Sequence, residues 1–493
     1  MVVVPNNLQS VEMMQTEMKK RIKVVVAVVA AILAWLVPST AFGLPNLTPT
    51  EQRMLAIALF GAVMWVTEAI ELWKTSVMVI VLMLLFVSDC SLSILSWDRG
   101  ANLSDDKVAF YDIMASFANP VLMLFLGGLI LAMAARKVGL DVKLARLLLR
   151  PFGEKCEDVM LGFMMVCAIL SMFMNNTATA ALMFAIISPV ISAMPNKGSE
   201  RLPLLLSIPI ATNLGGMATP VGTPVNLIAM HYINDPNGIN MGLTFGGWVF
   251  YMLPLTIFML FISWLLLIRL FPFKQKCIYV DIPNQVDDSR SQTIVTITFA
   301  CTVLMWMFDS YIGLNTYIIG MVPIMIFTLT GIFGKEDLKI VKWDILWLMA
   351  GGFALGTGFN QTGLAKDLLS AIPLGDMSPW VIAVTAGVVA YIMSSFISNT
   401  ATAFLLVPIV TSGILQHGMV SGDEGVGAMI IMVIAVSSSF AMSLPISTPP
   451  NALVYSVAGV RQKDMIKIGT RVGLICMVLS FALFGYMTTT SVL

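Results

Sequence analysis

Two ten-residue stretches hold the side chains with the most chemical content in this sequence. FMNNTATAAL begins at Phe173 and FISNTATAFL at Phe396, and seven of their ten positions agree. Each sets amides and hydroxyls in the middle of an apolar run. A second pair follows: VGTPVNLI holds Thr223, Pro224 and Asn226, and ISTPPNAL holds Thr448, Pro449 and Asn451. Amides and hydroxyls do not titrate near neutrality, but they offer N–H and O–H donors and oxygen acceptors. That chemistry suits holding an oxyanion or a hard cation better than making or breaking bonds. An enzyme would need an activated nucleophile or a metal set. No Ser-His or Cys-His arrangement, HExxH motif or intraspan acidic cluster is present, and the only histidines are His231 and His417. The expectation is a protein that is not an enzyme.

The surrounding elements decide how these motifs are held. Only 11% of the 493 residues are charged and 58% are hydrophobic, against about 25% charged in a soluble domain. Apolar runs of about 20 residues follow one another, each long enough to cross about 30 Å of hydrocarbon. They lack the period-two alternation of a membrane β-barrel. The reading is an all-α polytopic membrane protein with 11 transmembrane helices plus two re-entrant helical hairpins. The spans are placed at 22–42, 52–71, 74–95, 111–135, 202–232, 245–270, 291–309, 314–333, 343–360, 425–456 and 466–490. With the N-terminus cytoplasmic and the C-terminus external, all but Arg53, Arg99, Lys107 and Lys366 of the 28 Lys and Arg lie inside, as the positive-inside rule requires. The first span has the basic flank of a signal peptide, but its apolar run is long and the orientation works with it retained. Met1 to Met18 is expected to be a short mobile cytoplasmic tail.

Self-similarity extends beyond the two opening motifs. Gly127-Gly128 and Gly139-Leu140 match Gly351-Gly352 and Gly363-Leu364, in the same order as the Asn-Thr and Thr-Pro blocks and at nearly constant spacing. The chain is therefore read as 1–51, a cytoplasmic tail and first helix; 52–271, repeat 1 with hairpin 157–194; 272–290, a cytoplasmic linker; and 291–493, repeat 2 with hairpin 378–416. An odd number of crossings per half gives inverted-topology repeats, the plan of many secondary transporters. Segment 157–194 begins and ends beside cytoplasmic charges (Glu157, Asp158, Lys197), so a full crossing would place the downstream basic residues outside. It is read as a hairpin with MNNTATAA at its tip, and 378–416 as its counterpart from the other side.

Backbone that leaves the helix at membrane depth is tolerated where it lines a cavity or is buried in protein. The segments GMATPVGTPVN and SLPISTPPN break their helices with Gly and Pro. Each hairpin's returning helix starts at the tip, where its first amides carry partial positive charge and attract anions. Freed carbonyls and side-chain oxygens suit Na+. Ser, Thr and Asn also serve simply to bond helices together, but two symmetric tips with two symmetric breaks argue for a site. A channel needs a continuous pore, whereas opposed hairpins fit alternating access.

These paired Asn-Thr tips and Thr-Pro-x-Asn breaks resemble the divalent anion:sodium symporter family, dicarboxylate and citrate carriers of the ion transporter superfamily. The resemblance covers the chain after its first span. It implies a homodimer with scaffold and transport domains working as an elevator. It implies substrate contacts from Asn175, Asn176, Thr177, Thr223, Ser398, Asn399, Thr400, Thr448 and Pro449. It implies one Na+ site at Ser171, Asn175, Asn176 and Gly222, and a second at Ser394, Ile397, Asn399 and Ser447. The family's Ser-Asn-Thr tip is complete at Ser398-Asn399-Thr400, while Asn175 replaces the first serine of the other copy. The function expected is Na+-coupled symport of a C4-dicarboxylate such as succinate in a bacterial inner membrane, with Na+ and the lipid bilayer as partners and no nucleic acid. The alternatives are a sodium-independent dicarboxylate exchanger or a sulfate transporter on the same fold.

Other features have plainer readings. Glu68 and Glu71 are expected at an interface, Asp309 and Asp344 solvated at span ends, and Asn360 to Lys366 in an external turn. The amphipathic VKLARLLLR and LAKDLLSAI are expected along the interface. The Gly-Gly pairs permit close helix packing. The six cysteines show no metal spacing and read as small buried hydrophobes.

Overall fold

The computed structural model describes residues 6–42, 44, 47–92, 107–194, 201–236, 238–273, 277, 289–370, 377–416, 424–456 and 460–489. Most of the 272–290 linker, Arg99 and Lys197 lie outside them. Helices account for nearly all of the described chain, and no β-strand occurs among the described residues. Every expected span holds a helix. Five are long and apolar enough to cross a membrane: Phe110–Lys137, Cys156–Phe173, Phe245–Leu270, Pro379–Phe396 and Gln462–Tyr486. Two of these belong to the expected hairpins, so length alone does not distinguish re-entry from crossing.

The chain forms two compact units. The first comprises Met1–Asn119, Trp343–Asp376 and Pro408–His417. Its first helix runs Asn6–Leu36, so the expectation of a tail before residue 18 is corrected: the helix extends into it without a break. Helix Pro49–Thr67 starts at a capping box in which Thr48 Oγ1 accepts from Glu51 N at 3.2 Å and Glu51 Oε2 accepts from Thr48 N at 2.6 Å. The second Gly pair does the expected work here. A Cβ on Gly351 would lie 2.4 Å from that of Ser76, so helices Trp343–Thr362 and Leu72–Phe86 touch backbone to backbone. Asn360 to Lys366 is largely helical, interrupted only at Gly363 with φ +85°.

The second unit comprises Pro120–Lys342, Met377–Val407 and Gly418–Leu493. Here Gly127 meets Gly320, its missing Cβ position only 1.9 Å from that residue's carbonyl oxygen. Asp309 corrects the sequence reading, being 2% exposed rather than solvated. Its carboxylate accepts from Thr316 Oγ1 at 2.6 Å, Ser310 N at 2.8 Å and Phe245 N at 3.0 Å, tying together three helix starts that would otherwise leave buried donors. The cysteines are all free. Cys156, Cys167 and Cys476 are buried as expected, but Cys90, Cys277 and Cys301 are exposed.

The repeat is visible as paired elements. Inbound helices Cys156–Phe173 and Pro379–Phe396 begin and end 223 residues apart, and so do outbound helices Asn176–Ala193 and Asn399–Gln416. Each is followed by a cradle helix, Leu202–Met217 or Glu424–Ser439, and after the break by a stub helix, Pro224–Ile233 or Pro449–Tyr455. The repeats interlock: stub Pro449–Tyr455 packs on outbound helix Asn176–Ala193 and cradle Leu202–Met217, and stub Pro224–Ile233 packs on cradle Glu424–Ser439.

Candidate ion and anion site

The site is built from extended residues between helices. Met174 (ψ 155°) and Asn175 (ψ 131°) end the first inbound helix, and Ile397 (ψ 170°) ends the second. A new helix begins immediately in each case. Asn175 caps the first outbound helix, its Oδ1 accepting from Thr177 N at 2.9 Å, and Ser398 Oγ accepts from Ala401 N at 3.2 Å. No acceptor is bonded to the amides of Asn176 and Ala178, or of Asn399 and Thr400, among the described residues. These first-turn N–H groups are the orphan donors of a helix start.

Behind each tip sits the same three-oxygen cluster. Ser171 Oγ lies 2.6 Å from Asn176 Oδ1 and 2.8 Å from the Thr212 carbonyl oxygen. Ser394 Oγ lies 2.7 Å from Asn399 Oδ1 and 2.9 Å from the Ser438 carbonyl oxygen. Both serines are fully buried. One hydroxyl proton serves two acceptors in each cluster, so three oxygens converge on a single hydrogen. Uncharged oxygens gathered in this way favour a hard cation. No group of three or more His, Cys, Asp or Glu able to hold a metal ion occurs among the described residues. The serine bonds also fix which end of each amide faces away. With Oδ1 of Asn176 and Asn399 engaged, their NH2 groups remain available as donors.

The breaks are held by paired devices that the sequence motifs only partly reveal. Asn226 Nδ2 donates to the carbonyls of Gly216 (2.9 Å) and Thr219 (2.7 Å), and Asn451 Nδ2 donates to those of Met442 (2.8 Å) and Leu444 (2.9 Å). These asparagines stitch carbonyls freed by the helix break. A hydroxyl then links each break to its hairpin. Thr219 Oγ1 accepts from Gly222 N and donates to the Met172 carbonyl; Ser447 Oγ accepts from Leu444 N and donates to the Ser395 carbonyl. The bonded turn is the same in both copies, but the hydroxyl stands at its first position in one and its fourth in the other.

The expected residues fall as follows. Ser171, Asn176 and Gly222 gather at the first tip and break, where a Cβ on Gly222 would meet the Gly216 carbonyl oxygen at 2.4 Å. Ser394, Ile397, Asn399 and Ser447 do so at the second. Thr448 is buried and Thr223 half-buried, while Thr177 and Pro449 are exposed. Asn175 spends one Oδ1 lone pair on capping. Sequence reasoning missed Thr212, Asn213, Thr219, Asn226, Ser438 and Asn451 as site-builders. Asn226 and Asn451 were legible as the last letter of the Thr-Pro-x-Asn motif, and Ser437-Ser438-Ser439 as a polar run in an apolar helix.

A citrate transporter family model matches residues 62–424. The chain belongs to the citrate transporter family. It is 28% identical over 472 residues to the sodium-dependent dicarboxylate transporter SdcS of Staphylococcus saprophyticus, covering 88% of this chain and 85% of that protein. It is 26% identical over 455 residues to the inorganic phosphate transporter PHO87 of Saccharomyces cerevisiae, covering 90% of this chain but 48% of that one. The crystal structure of the Alcanivorax borkumensis YdaH transporter superposes with a TM-score of 0.56 at 16% identity, over 85% of this chain and 98% of that one. The fold is that of a membrane transporter, and the chain is not an enzyme.

Proposed function

We propose that this member of the citrate transporter family is a secondary active transporter that moves a C4-dicarboxylate such as succinate together with Na+. The observation that carries the proposal is the pair of Ser–Asn–carbonyl clusters, one behind each tip. Each presents oxygens to a cation on one side and turns an amide NH2 outward on the other. In this reading Na+ is held by Ser171, Asn175, Asn176 and Gly222 at one tip, and by Ser394, Ile397, Asn399 and Ser447 at the other. The carboxylates contact Asn175, Asn176, Thr177, Thr223, Ser398, Asn399, Thr400, Thr448 and Pro449. The site lacks Lys and Arg, and two helix starts offer about half a unit charge each. A dianion therefore keeps about one uncompensated charge, which bound Na+ supplies.

Eleven spans, two re-entrant hairpins, a homodimer and elevator movement complete the proposal, with the protein in a bacterial inner membrane. A second reading, a phosphate or sulfate carrier or a sodium-independent exchanger, is favoured by the likeness to PHO87. Uptake of labelled succinate, citrate, phosphate and sulfate into proteoliposomes, with and without a Na+ gradient, separates them. Succinate uptake that requires Na+ supports symport. Uptake that requires only internal dicarboxylate rejects it in favour of exchange.

A further inference from the structure

The two halves of the site are not equivalent, and the difference lies behind Thr448. Its hydroxyl oxygen accepts from Asn451 N at 3.4 Å, as the cap of the stub helix, and from Asn213 Nδ2 at 3.2 Å. Asn213 is 3% exposed and Thr448 5%. A hydroxyl has two lone pairs and one proton. Both lone pairs are engaged, so the proton is all that Thr448 has left to offer. No acceptor for it occurs among the described residues.

The first repeat has no such arrangement. Thr223 makes no capping bond with its side chain. At the corresponding turn of cradle helix Glu424–Ser439, Ser438 and Ser439 donate their hydroxyls to their own helix, at Ile434 O (2.8 Å) and Ala435 O (3.1 Å). Neither hydroxyl proton is left to orient Thr223, whose hydroxyl rotates to donate or accept. Cradle helix Leu202–Met217 and stub Pro449–Tyr455 contain no charged side chain that would compete for the Asn213 amide.

We propose that Asn213 is a positioning residue that makes the Thr448 hydroxyl an obligatory donor, so that this half of the site takes only a deprotonated oxyanion, whereas the Thr223 half also takes a group bearing a proton. The inference rests on the substrate reading given above. It makes the site directional. A ligand with one carboxylate and one carboxamide binds in a single orientation, with its carboxamide at Thr223.

The test is a double-mutant cycle read by equilibrium binding of succinate and of its monoamide, succinamate, to the full-length purified protein in Na+. Asn213→Ala weakens succinate about tenfold through loss of one oriented hydrogen bond, and narrows the succinate-to-succinamate preference severalfold. In a Thr448→Val background the same substitution causes no further loss, because its effect passes through that hydroxyl. In a Thr223→Val background its effect is undiminished. Asn213→Asp is nearly isosteric and offers Thr448 an acceptor instead of a donor. It weakens succinate more than Asn213→Ala and keeps the test available should the smaller side chain impair folding. Succinate affinity within twofold of wild type in both Asn213 variants, or losses that multiply between Asn213→Ala and Thr448→Val, overturn the proposal. Wild-type protein that binds neither ligand overturns the substrate reading itself.

Discussion

Replacing Ser394 with alanine removes a single oxygen and its proton from the second cluster. Ser394 is fully buried, with Asn399 Oδ1 at 2.7 Å and the Ser438 carbonyl oxygen at 2.9 Å. One proton cannot satisfy both, so the substitution forfeits about one net hydrogen bond, roughly 0.5–1.5 kcal/mol. It also leaves a buried acceptor unmatched, at a cost of roughly 1–3 kcal/mol. The change in volume is too small to add much cavity cost. Asn399 loses what fixes its amide, and the cation loses one oxygen ligand. At 1.4 kcal/mol per factor of ten, the Na+ concentration that half-saturates succinate binding should rise about 10- to 100-fold. Ser171→Ala should do the same at the first cluster, given its near-identical distances of 2.6 and 2.8 Å. The assay is a Na+ titration of succinate binding by monodisperse protein in detergent. A midpoint within twofold of wild type in either variant would refute the idea that these clusters hold the cation.

Asn399→Ala deletes both the oxygen that meets Ser394 and the amide donor that faces away from it, and uptake should fall to background while the protein still purifies intact; near-normal uptake would reject its placement in the site. Gly127→Ala would drive a Cβ to 1.9 Å from the Gly320 carbonyl oxygen, so an overpacking cost of roughly 1–3 kcal/mol should lower the thermal midpoint by several degrees. Gly128→Ala, which meets only the Val221 side chain at 3.2 Å, should lower it less. The hydrogen bond from Lys137 holds the Asp337 carboxyl below its ordinary range. A depressed carboxylate stabilises the fold above its ordinary value, about pH 4, and loses that contribution as pH falls through the folded-state value. The stability difference between wild type and Lys137→Met should therefore be present at pH 7 and vanish on acidification, as thermal denaturation across that range will show.

The paired motifs were legible because duplication prints the same letters twice, and polar letters in an apolar run stand out. The Gly-Gly pairs were legible for the same reason: a missing Cβ against Gly320 or Ser76 is a packing device that tolerates no substitute. Asp309 was not, since a carboxylate near a span end looks solvated until three distant donors, on Phe245, Ser310 and Thr316, are seen to converge on it. The cradle residues escaped for a related reason. Thr212 contributes only its backbone carbonyl, which no side-chain letter announces. Asn213 matters through Thr448, 235 residues away in sequence. The hydroxyl that links break to hairpin moved from Thr219 to Ser447, so an alignment of the two copies does not pair them.

The central claim is that a site without fixed positive charge binds a dianion because Na+ arrives with it. Burying an uncompensated charge is costly, so each ligand must raise the affinity of the other by the same factor. Equilibrium binding of succinate in NaCl and in choline chloride at equal ionic strength measures this directly. The account predicts succinate binding at least tenfold tighter in Na+, with a reciprocal gain in Na+ affinity when succinate is present; equal affinity in the two salts would contradict it.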